Sequence, residues 1–470
     1  MLSGTRIDEP QLVRAPVRAG RTLRLGAIAV AVALVLADSS VVVLALPDVL
    51  GTFGGSIAHV AWVLVAFNLV LAVVAVPAAL LSRRVGARRV ITIGLGLLGV
   101  ASAGCAVAGS IDVLIASRCL QAVGAAAVAA AALELFTEVL RDERRAARMW
   151  TASGAAGAAL GPGIGGVLAQ LFSWRAVFVI QVPIAAVLIL GVVGIGATAV
   201  LRTPVERPRM APNIALGLLS AALTAALFLL VLMLVDGWRM SPVTAALTVS
   251  VMPVVALGSA RLVARAGSHR VRAAAGCILV GGGLASLGEL PRGTPVWTVL
   301  PQAAIGLGLA LALSSLTEAA LENRSPEAVH GAWTLAARHA GVVLGLLVLT
   351  PVFSSDLTTQ TAAAQESGSS IVLNANLPLG AKLALGDALT RQVQRTPDHV
   401  PDLSAAFRTQ LPTATQRPAF RRVESALNGQ VRRAGTAAFA RAFGIAALIA
   451  LSALAPVSIV RRRERRGVTA

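Results

Sequence analysis

Long apolar runs separated by short polar segments dominate this chain. A membrane-spanning helix needs about 20 mainly apolar residues, and the sequence contains twelve such runs, six on each side of a Pro- and Arg-containing segment at 201–213. This pattern predicts an all-α integral membrane protein built from two six-helix bundles. The predicted spans are 24–46, 57–81, 90–109, 113–136, 150–171, 176–200, 214–235, 242–264, 272–290, 296–320, 329–353 and 436–460.

The positions of the basic residues predict how these spans cross the membrane. With the N-terminus in the cytoplasm, 26 basic residues fall in cytoplasmic segments and three in short outer loops. Such a bias marks the cytoplasmic side, so we expect both termini there. The predicted organisation is a basic tail at 1–23, a bundle at 24–200, a linker at 201–213, a second bundle at 214–353 and 436–460, an extracytoplasmic insertion at 354–435, and a basic tail at 461–470.

Composition excludes several classes of protein. Hydrophobic residues make up 56% of the chain and charged residues 13%, and the mean hydropathy is +0.78. That is too little charge to cover a soluble multidomain enzyme, whose charged fraction is about 25%. The net charge of +19 is a topology signal on the cytoplasmic edges, so we expect no nucleic-acid partner. No phosphate-binding loop or hydrolase motif appears, and the three cysteines lie apart in apolar runs. We therefore expect neither an enzyme nor a metal or other cofactor.

The insertion at 354–435 breaks the alternation of spans and short loops. It contains helix-like pieces at 377–393 and 417–433, and it starts with a Ser-, Thr- and Ala-rich stretch. Loops of this length are usually functional or disordered. Two interpretations stay open, a small helical cap that can bind an envelope partner and a partly disordered linker.

The two halves share a signature. Residues 81–90, LSRRVGARRV, follow the second span, and residues 262–271, LVARAGSHRV, follow the eighth. Repeated halves are typical of secondary transporters, which rock one half against the other. A tight membrane hairpin would also use a glycine and flanking cations, but the matching positions favour a repeat.

A glycine-rich motif in the fifth span carries a family resemblance. Residues 157–166, GAALGPGIGG, match the pattern GxxxGPxxGG at every specified position. The chain therefore resembles the major facilitator superfamily, and within it the drug:proton antiporters of the branch that usually has fourteen spans. The resemblance implies a major facilitator fold in a bacterial cytoplasmic membrane, multidrug efflux and antibiotic resistance. It also implies that this helix seals the central path and favours export. The motif residues are Gly157, Gly161, Pro162, Gly163, Gly165 and Gly166.

Two charged residues inside apolar spans are the candidate proton-coupling groups. Asp38 begins a segment that resembles the family's DxTxxNxALP, with Ser40 and Val43 as departures. It lies about 12 Å below the outer end of its span, and Arg118 lies at a depth of about 8 Å. Arg118 would hold Asp38 in its charged form when close and release it when the cavity rearranges. A fixed, purely structural ion pair is the alternative.

Other polar residues are candidates for the substrate cavity or for a cytoplasmic latch. The cavity candidates are Gln121, Arg338, His339 and Asn68. His339 lies near the midplane and either titrates or simply packs with a hydrogen bond. The loop at 81–90 resembles the superfamily's GxxxDRxGRR, but an arginine replaces the aspartate. Glu134 is then a substitute anion for these arginines or, alternatively, a second proton site. The loop residues are Arg84, Gly86, Arg88 and Arg89.

A motif at 174–183 resembles the family's WRxxFxINxP, with Gln181 in place of Asn, and we assign it no chemistry. The leading hypothesis is a monomeric, proton-driven antiporter that exports hydrophobic or amphipathic small molecules by alternating access, with the lipid bilayer, its cargo and protons as partners. One alternative is an exporter that passes lipids or metabolites to an envelope partner through the insertion. A second is a ligand-sensing receptor without transport.

Overall fold

The computed structural model describes residues 15–54, 56–193, 204–263, 267–290, 294–322, 324–394, 403–408, 413 and 415–460. Several predictions lie outside these residues. They are the C-terminal tail and most of the N-terminal tail, the last part of the sixth predicted span, the start of the linker, and residues 264–266 of the second loop in the repeat.

Seven helices form the six spans of the first half. They are α1 (Ala15–Phe53), α2 (Ile57–Val85), α3 (Ala87–Ala106), α4 (Ile111–Leu140), α5 (Glu143–Leu171), α6 (Ala176–Val179) and α7 (Gln181–Val193), of which α6 and α7 make up one span.

Besides a π-helix at Met233–Gly237 and a 3-10 helix at Pro295–Thr298, ten further α-helices form the described parts of the second half and the insertion. They are α8 (Met210–Leu232), α9 (Pro242–Val249), α10 (Val251–Val263), α11 (His269–Gly288), α12 (Val299–Leu321), α13 (Glu327–Leu373), α14 (Leu379–Gln394), α15 (Ser404–Arg408), α16 (Arg417–Ser452) and α17 (Leu454–Ile459). Among the described residues, twelve helical segments are long and apolar enough to cross a membrane. The predicted count and order of spans are confirmed.

Prolines explain the three places in the described residues where a span divides into two α-helices. A proline lacks the N–H that would bond to the carbonyl four residues earlier, and its ring collides with that carbonyl. Helix α6 ends at Val179, four residues before Pro183, and α9 ends at Val249, four before Pro253. Helix α16 likewise ends at Ser452, four residues before a proline.

The bundle has two ends, which we call the N side and the cap side. On the N side, where α1 begins, Arg209 donates to the carbonyl of Ala319 at 3.1 Å. On the cap side, where α1 ends, the indole of Trp174 donates to the Thr52 hydroxyl at 3.1 Å. Large apolar side chains such as Leu190, 78% exposed, cover the outside of the bundle between these ends. Such a surface suits lipid rather than water.

The repeat seen in the sequence is also present in the helix contacts. In the first half α3 crosses α4 where a Cβ on Gly94 would lie 2.9 Å from the carbonyl oxygen of Gly124. In the second half α11 crosses α12 in the same way at Gly276 and Gly308. Glycines let membrane helices approach this closely. The two repeated loops also match, because Gly86 and Gly267 both have positive φ, 94° and 63°, which favours glycine.

The described parts of the insertion are mainly helical and have a small core of their own; residues 395–402, 409–412 and 414 lie outside the described residues. Helix α13 has 47 residues and is about 70 Å long, so it extends well beyond a bilayer core of about 30 Å. Helices α14 and α15 and the start of α16 pack against its end. We call this unit the cap. Its buried apolar residues are Val372, Leu377, Leu385, Leu403, Phe407, Phe420, Val423 and Leu427.

The two halves touch at both ends of the bundle. On the N side Gly331 of α13 lies against the side chain of Leu133 in α4. On the cap side Gly166 of α5 lies against Ala246 of α9. Both large apolar clusters accordingly contain residues of both halves. Access to the centre from either side therefore requires one of these contacts to open.

Candidate functional site

An ion pair lies inside the first half, away from solvent. The guanidinium of Arg118 on α4 bonds directly to the carboxylate of Asp38 on α1, and the two residues are 0% and 2% exposed. The ring of Phe67 lies 4.0 Å below the guanidinium carbon, a cation–π contact. A buried pair of this kind is costly to break, because removing one partner leaves an uncompensated charge.

Neutral side chains from three helices extend this pair into a network. Gln181 on α7 donates to the second carboxylate oxygen of Asp38 at 2.7 Å. Gln121 on α4 donates to the Oε1 of Gln181 at 2.8 Å, and its own Oε1 accepts from Arg118 at 2.6 Å. The hydroxyl of Ser102 on α3 lies 2.8 Å from Nε2 of Gln121. The network therefore joins four helices of one half through a single carboxylate.

The glycine motif of α5 holds the helix that carries Asp38. Cβ atoms at Gly157 and Gly165 would overlap the backbone of Ala33 and Val41, and one at Gly161 would overlap the Ser40 hydroxyl. That hydroxyl lies 3.2 Å from the carbonyl of Ala158 in α5. Helix α5 can lie this close to α1 only because these positions lack side chains. The motif thus fixes the backbone on both sides of Asp38.

The remaining motif residues have different surroundings. Gly166 faces the second half, where a Cβ would lie 2.5 Å from that of Ala246. Gly163 has open space around it, with no atom within 4 Å of a Cβ among the described residues. Pro162 is buried inside α5 without dividing that helix. The motif therefore combines contacts to α1, a contact to α9 and one position free of close neighbours.

A second polar contact joins the two halves near the middle of the bundle. Nδ1 of His339 on α13 lies 2.6 Å from Oδ1 of Asn68 on α2. The amide nitrogen of Asn68 donates to the Leu64 carbonyl at 2.8 Å, which leaves its oxygen facing the histidine. Arg338 is half-buried and has no hydrogen bond or ion pair to any residue that the structure describes. Of the four cavity candidates, Asn68 and His339 are thus brought together, while Gln121 belongs to the ion-pair network.

Each repeated loop lies on the N side, near an acid on the fourth span of its half. Of the predicted loop residues, Arg88 lies within electrostatic range of Glu138. Ser82 donates to Oε2 of Glu134 at 2.7 Å, and Arg83 lies within electrostatic range of the same carboxylate. In the second half Arg272 lies 3.5 Å from Oε2 of Glu318. Both halves thus place an acid of the fourth span near an arginine, although Arg83 and Arg272 occupy different positions of the repeat. This arrangement suits a structural role for Glu134, which stays a prediction.

Two members of the network, Gln181 and Ser102, were not predicted as functional residues. Gln181 lies in a motif to which the sequence analysis assigned no chemistry, yet it connects Asp38 to Gln121. The available signal was a polar amide side chain inside an otherwise apolar span. Ser102 gave no signal, since a single serine in an apolar run is common in membrane helices.

Comparison with known sequences gives one family and several relatives. A profile of the Major Facilitator Superfamily matches residues 28–350. The methylenomycin A resistance protein of Bacillus subtilis is 38% identical over 152 residues, which cover 32% of this chain and 33% of that protein. The methyl viologen resistance protein SmvA of Salmonella typhimurium is 37% identical over 153 residues, 32% of this chain and 31% of that protein. The multidrug efflux pump LfrA of Mycolicibacterium smegmatis is 35% identical over 178 residues, covering 37% and 35% of the two chains.

Solved structures share the fold at low sequence identity. A bacterial homologue of the human lysosomal transporter Spinster, in an inward-facing and unoccupied conformation, matches with a TM-score of 0.59 at 15% identity. That match covers 95% of this chain and 99% of the other. A D-xylose–proton symporter matches with a TM-score of 0.58 at 12% identity, over 70% of this chain and 89% of the other. By contrast, the chain covers only about a third of the length of the three sequence relatives.

Proposed function

Because the chain belongs to the Major Facilitator Superfamily, we propose that it is a proton-driven antiporter that exports hydrophobic or amphipathic small molecules. The family, the twelve spans and the drug-efflux relatives describe a multi-span membrane transporter. Proton coupling is supported by a single observation. Asp38 is a buried carboxylate whose charge is balanced by Arg118 within one half of a two-half transporter.

The chemistry of that pair suits proton exchange. A carboxylate inside a membrane protein is stable when it is paired with a cation or when it is protonated. Separating Arg118 from Asp38 would therefore favour uptake of a proton, and bringing them together would favour its release. Their helices, α1 and α4, belong to the same half, so this separation requires a shift between the two helices and not only a movement of one half against the other.

The direction of transport and the orientation are part of the proposal. The basic segments on the N side support a cytoplasmic N side in a bacterial cytoplasmic membrane. The names of the relatives, which refer to methylenomycin, methyl viologen and multidrug resistance, support export of foreign compounds. The arrangement of α5 against α1 agrees with the sealing role implied by its glycine motif.

The test is transport in proteoliposomes with an imposed pH gradient. Wild type should accumulate hydrophobic dyes only while the gradient lasts, and Asp38→Asn should lose that dependence. Because Asp38→Asn leaves Arg118 unpaired, the double variant Asp38→Asn, Arg118→Gln serves as the folding control, since it removes both charges. Gradient-driven flux that is unchanged in a folded Asp38→Asn protein would remove this residue from the mechanism.

The cap favours one alternative function. It has its own apolar core formed by α13, α14, α15 and α16. A folded unit on the cap side suits an exporter that passes its cargo, a lipid or metabolite, to an envelope partner. Replacing residues 374–416 by a short flexible linker should abolish such delivery but spare simple dye efflux, so the two functions separate in one assay.

A further inference from the structure

Arg338 is a cation inside the bundle that the ion-pair network does not explain. It lies eleven positions after the start of α13, about 17 Å from the N side. That is too deep for the side chain to reach the membrane surface, so its charge needs a partner within the protein. Among the described residues it has neither a hydrogen bond nor an ion pair. The buried carboxylate of Asp38 is already engaged by Arg118 and Gln181.

The faces of α13 show where Arg338 lies. Leu344 and Leu347 are 61% and 45% exposed and mark the lipid side of the helix. Arg338 is about 120° and 180° around the helix from them. Gly341 lies against the backbone of α8, and His339 against α2. Arg338 falls between these two contact faces, and Thr334, Leu335 and Val342, which lie one turn before and after it, are buried. It therefore lies on the packed side of the helix rather than on the lipid side.

The next residue along the chain, His339, is hydrogen-bonded across the seam between the halves to Asn68. Asn68 keeps its amide N–H on its own helix, so its oxygen accepts and Nδ1 of His339 donates. Alternating access requires the halves to part, and this bond then breaks. The separation leaves one donor and one acceptor unpartnered next to the guanidinium, which is an arrangement a ligand can satisfy.

We infer that Arg338, with the Nδ1–H donor of His339, binds an anionic group such as a carboxylate, sulfonate or phosphate on an otherwise apolar cargo. This inference rests on the proposed transport function and names its substrate class. A guanidinium forms strong, charge-assisted hydrogen bonds to such groups. It repels cations, so quaternary ammonium compounds are disfavoured.

The experiment compares three fluorescent probes in phosphatidylcholine proteoliposomes with an imposed pH gradient. They are the sulfonate 1-anilinonaphthalene-8-sulfonate, its uncharged counterpart N-phenyl-1-naphthylamine, and the cation ethidium. Wild type should show the lowest KM for the sulfonate. Arg338→Gln should raise that KM about tenfold or more and change the KM of the uncharged probe less than about twofold. Arg338→Lys should keep most of the preference, because it keeps the charge.

The control is Arg441→Gln, which removes an exposed arginine paired with Asp356 on the cap side and should change neither KM. Equal KM values for sulfonate and uncharged probe in wild type, or no effect of Arg338→Gln, would overturn the inference while leaving proton-driven export intact. Loss of gradient-driven flux for all three probes in wild type would overturn the proposed function as well. Competition by added phosphatidylglycerol would show that a lipid headgroup is the bound anion and would overturn the assignment to cargo.

Discussion

The contact of α5 with α1 predicts that two glycines of the same motif differ sharply in their tolerance of alanine. At Gly157 an added Cβ would overlap the carbonyl of Ala33 and lie 2.7 Å from its Cα. These are backbone atoms, which cannot move aside by changing rotamer. At Gly163, six residues along the same helix, nothing described lies within 4 Å. Gly163→Ala is therefore a matched control for Gly157→Ala.

The magnitude follows from two opposing terms. Relieving the overlap at Gly157 requires α1 to move by about 1 Å, and overpacking of this kind typically costs about 1–3 kcal/mol, sometimes more. Alanine also favours a helix over glycine by up to about 1 kcal/mol. At Gly157 the first term outweighs the second, so the variant is destabilised. At Gly163 only the second term acts, so the variant is neutral or slightly stabilised.

The assay is thermal unfolding of the purified protein in detergent, followed by gradient-driven dye transport. Gly157→Ala should lower the Tm, and Gly163→Ala should not. Gly157→Ala should also lose gradient-driven transport at temperatures where it is still folded, because a displaced α1 moves Asp38 relative to Arg118 and Gln181. Equal Tm values for the two variants would refute the reasoning, since they would show that α5 does not depend on this close approach.

Three further predictions concern the cap and the buried hydrogen bonds. Leu385→Ala should expose the cap to limited proteolysis, because a buried leucine contributes about 2–5 kcal/mol. Leu383→Ala, which removes a side chain that is 62% exposed on the same helix, should leave cleavage unchanged. Gln181→Ala should lower the free energy of unfolding by about 1–3 kcal/mol through unsatisfied buried groups, measured by chemical denaturation. Trp150→Phe should cost about 1 kcal/mol in the same assay, because it loses the indole bond to the Ala129 carbonyl.

Hydrophobicity predicted the number of spans but not where several helices end. An apolar run ends where the bilayer ends, whereas a helix continues as long as its backbone bonds are maintained. The eleventh span was predicted to end at 353, but α13 continues to Leu373. The twelfth was predicted to begin at 436, but α16 begins at Arg417. Polar helix surfaces in the cap carry no hydropathy signal, so only their periodicity was available.

The candidate site likewise contains residues that the sequence indicated and residues that it did not. Asp38 and Arg118 were identifiable because a charge within an apolar run is conspicuous in any membrane sequence. Gln181 and Ser102 were not, because neutral polar residues are common in such runs. Their importance comes from partners on other helices, and those pairings are set by tertiary structure. The contact of His339 with Asn68 is of the same kind, since 271 positions separate the two residues.

The two halves repeat each other's packing but not each other's chemistry. Glycines of the fifth span lie on the first, and Gly341 and Gly345 of the eleventh lie in the same way on α8, the seventh. In the first half Gly161 lies against Ala37, and the next residue is Asp38. In the second half Gly345 lies against Ala221, and the next residue is Ala222, which is apolar and fully buried. Proton exchange at Asp38 would therefore act on the first half alone. If cargo moves at the seam, the effect of proton exchange has to pass across contacts between the halves. The contact of Gly166 with α9 is one of them. Gly166 lies on α5, the helix whose other glycines pack against α1 around Asp38, so α5 is the packed route by which a shift of α1 can reach that contact.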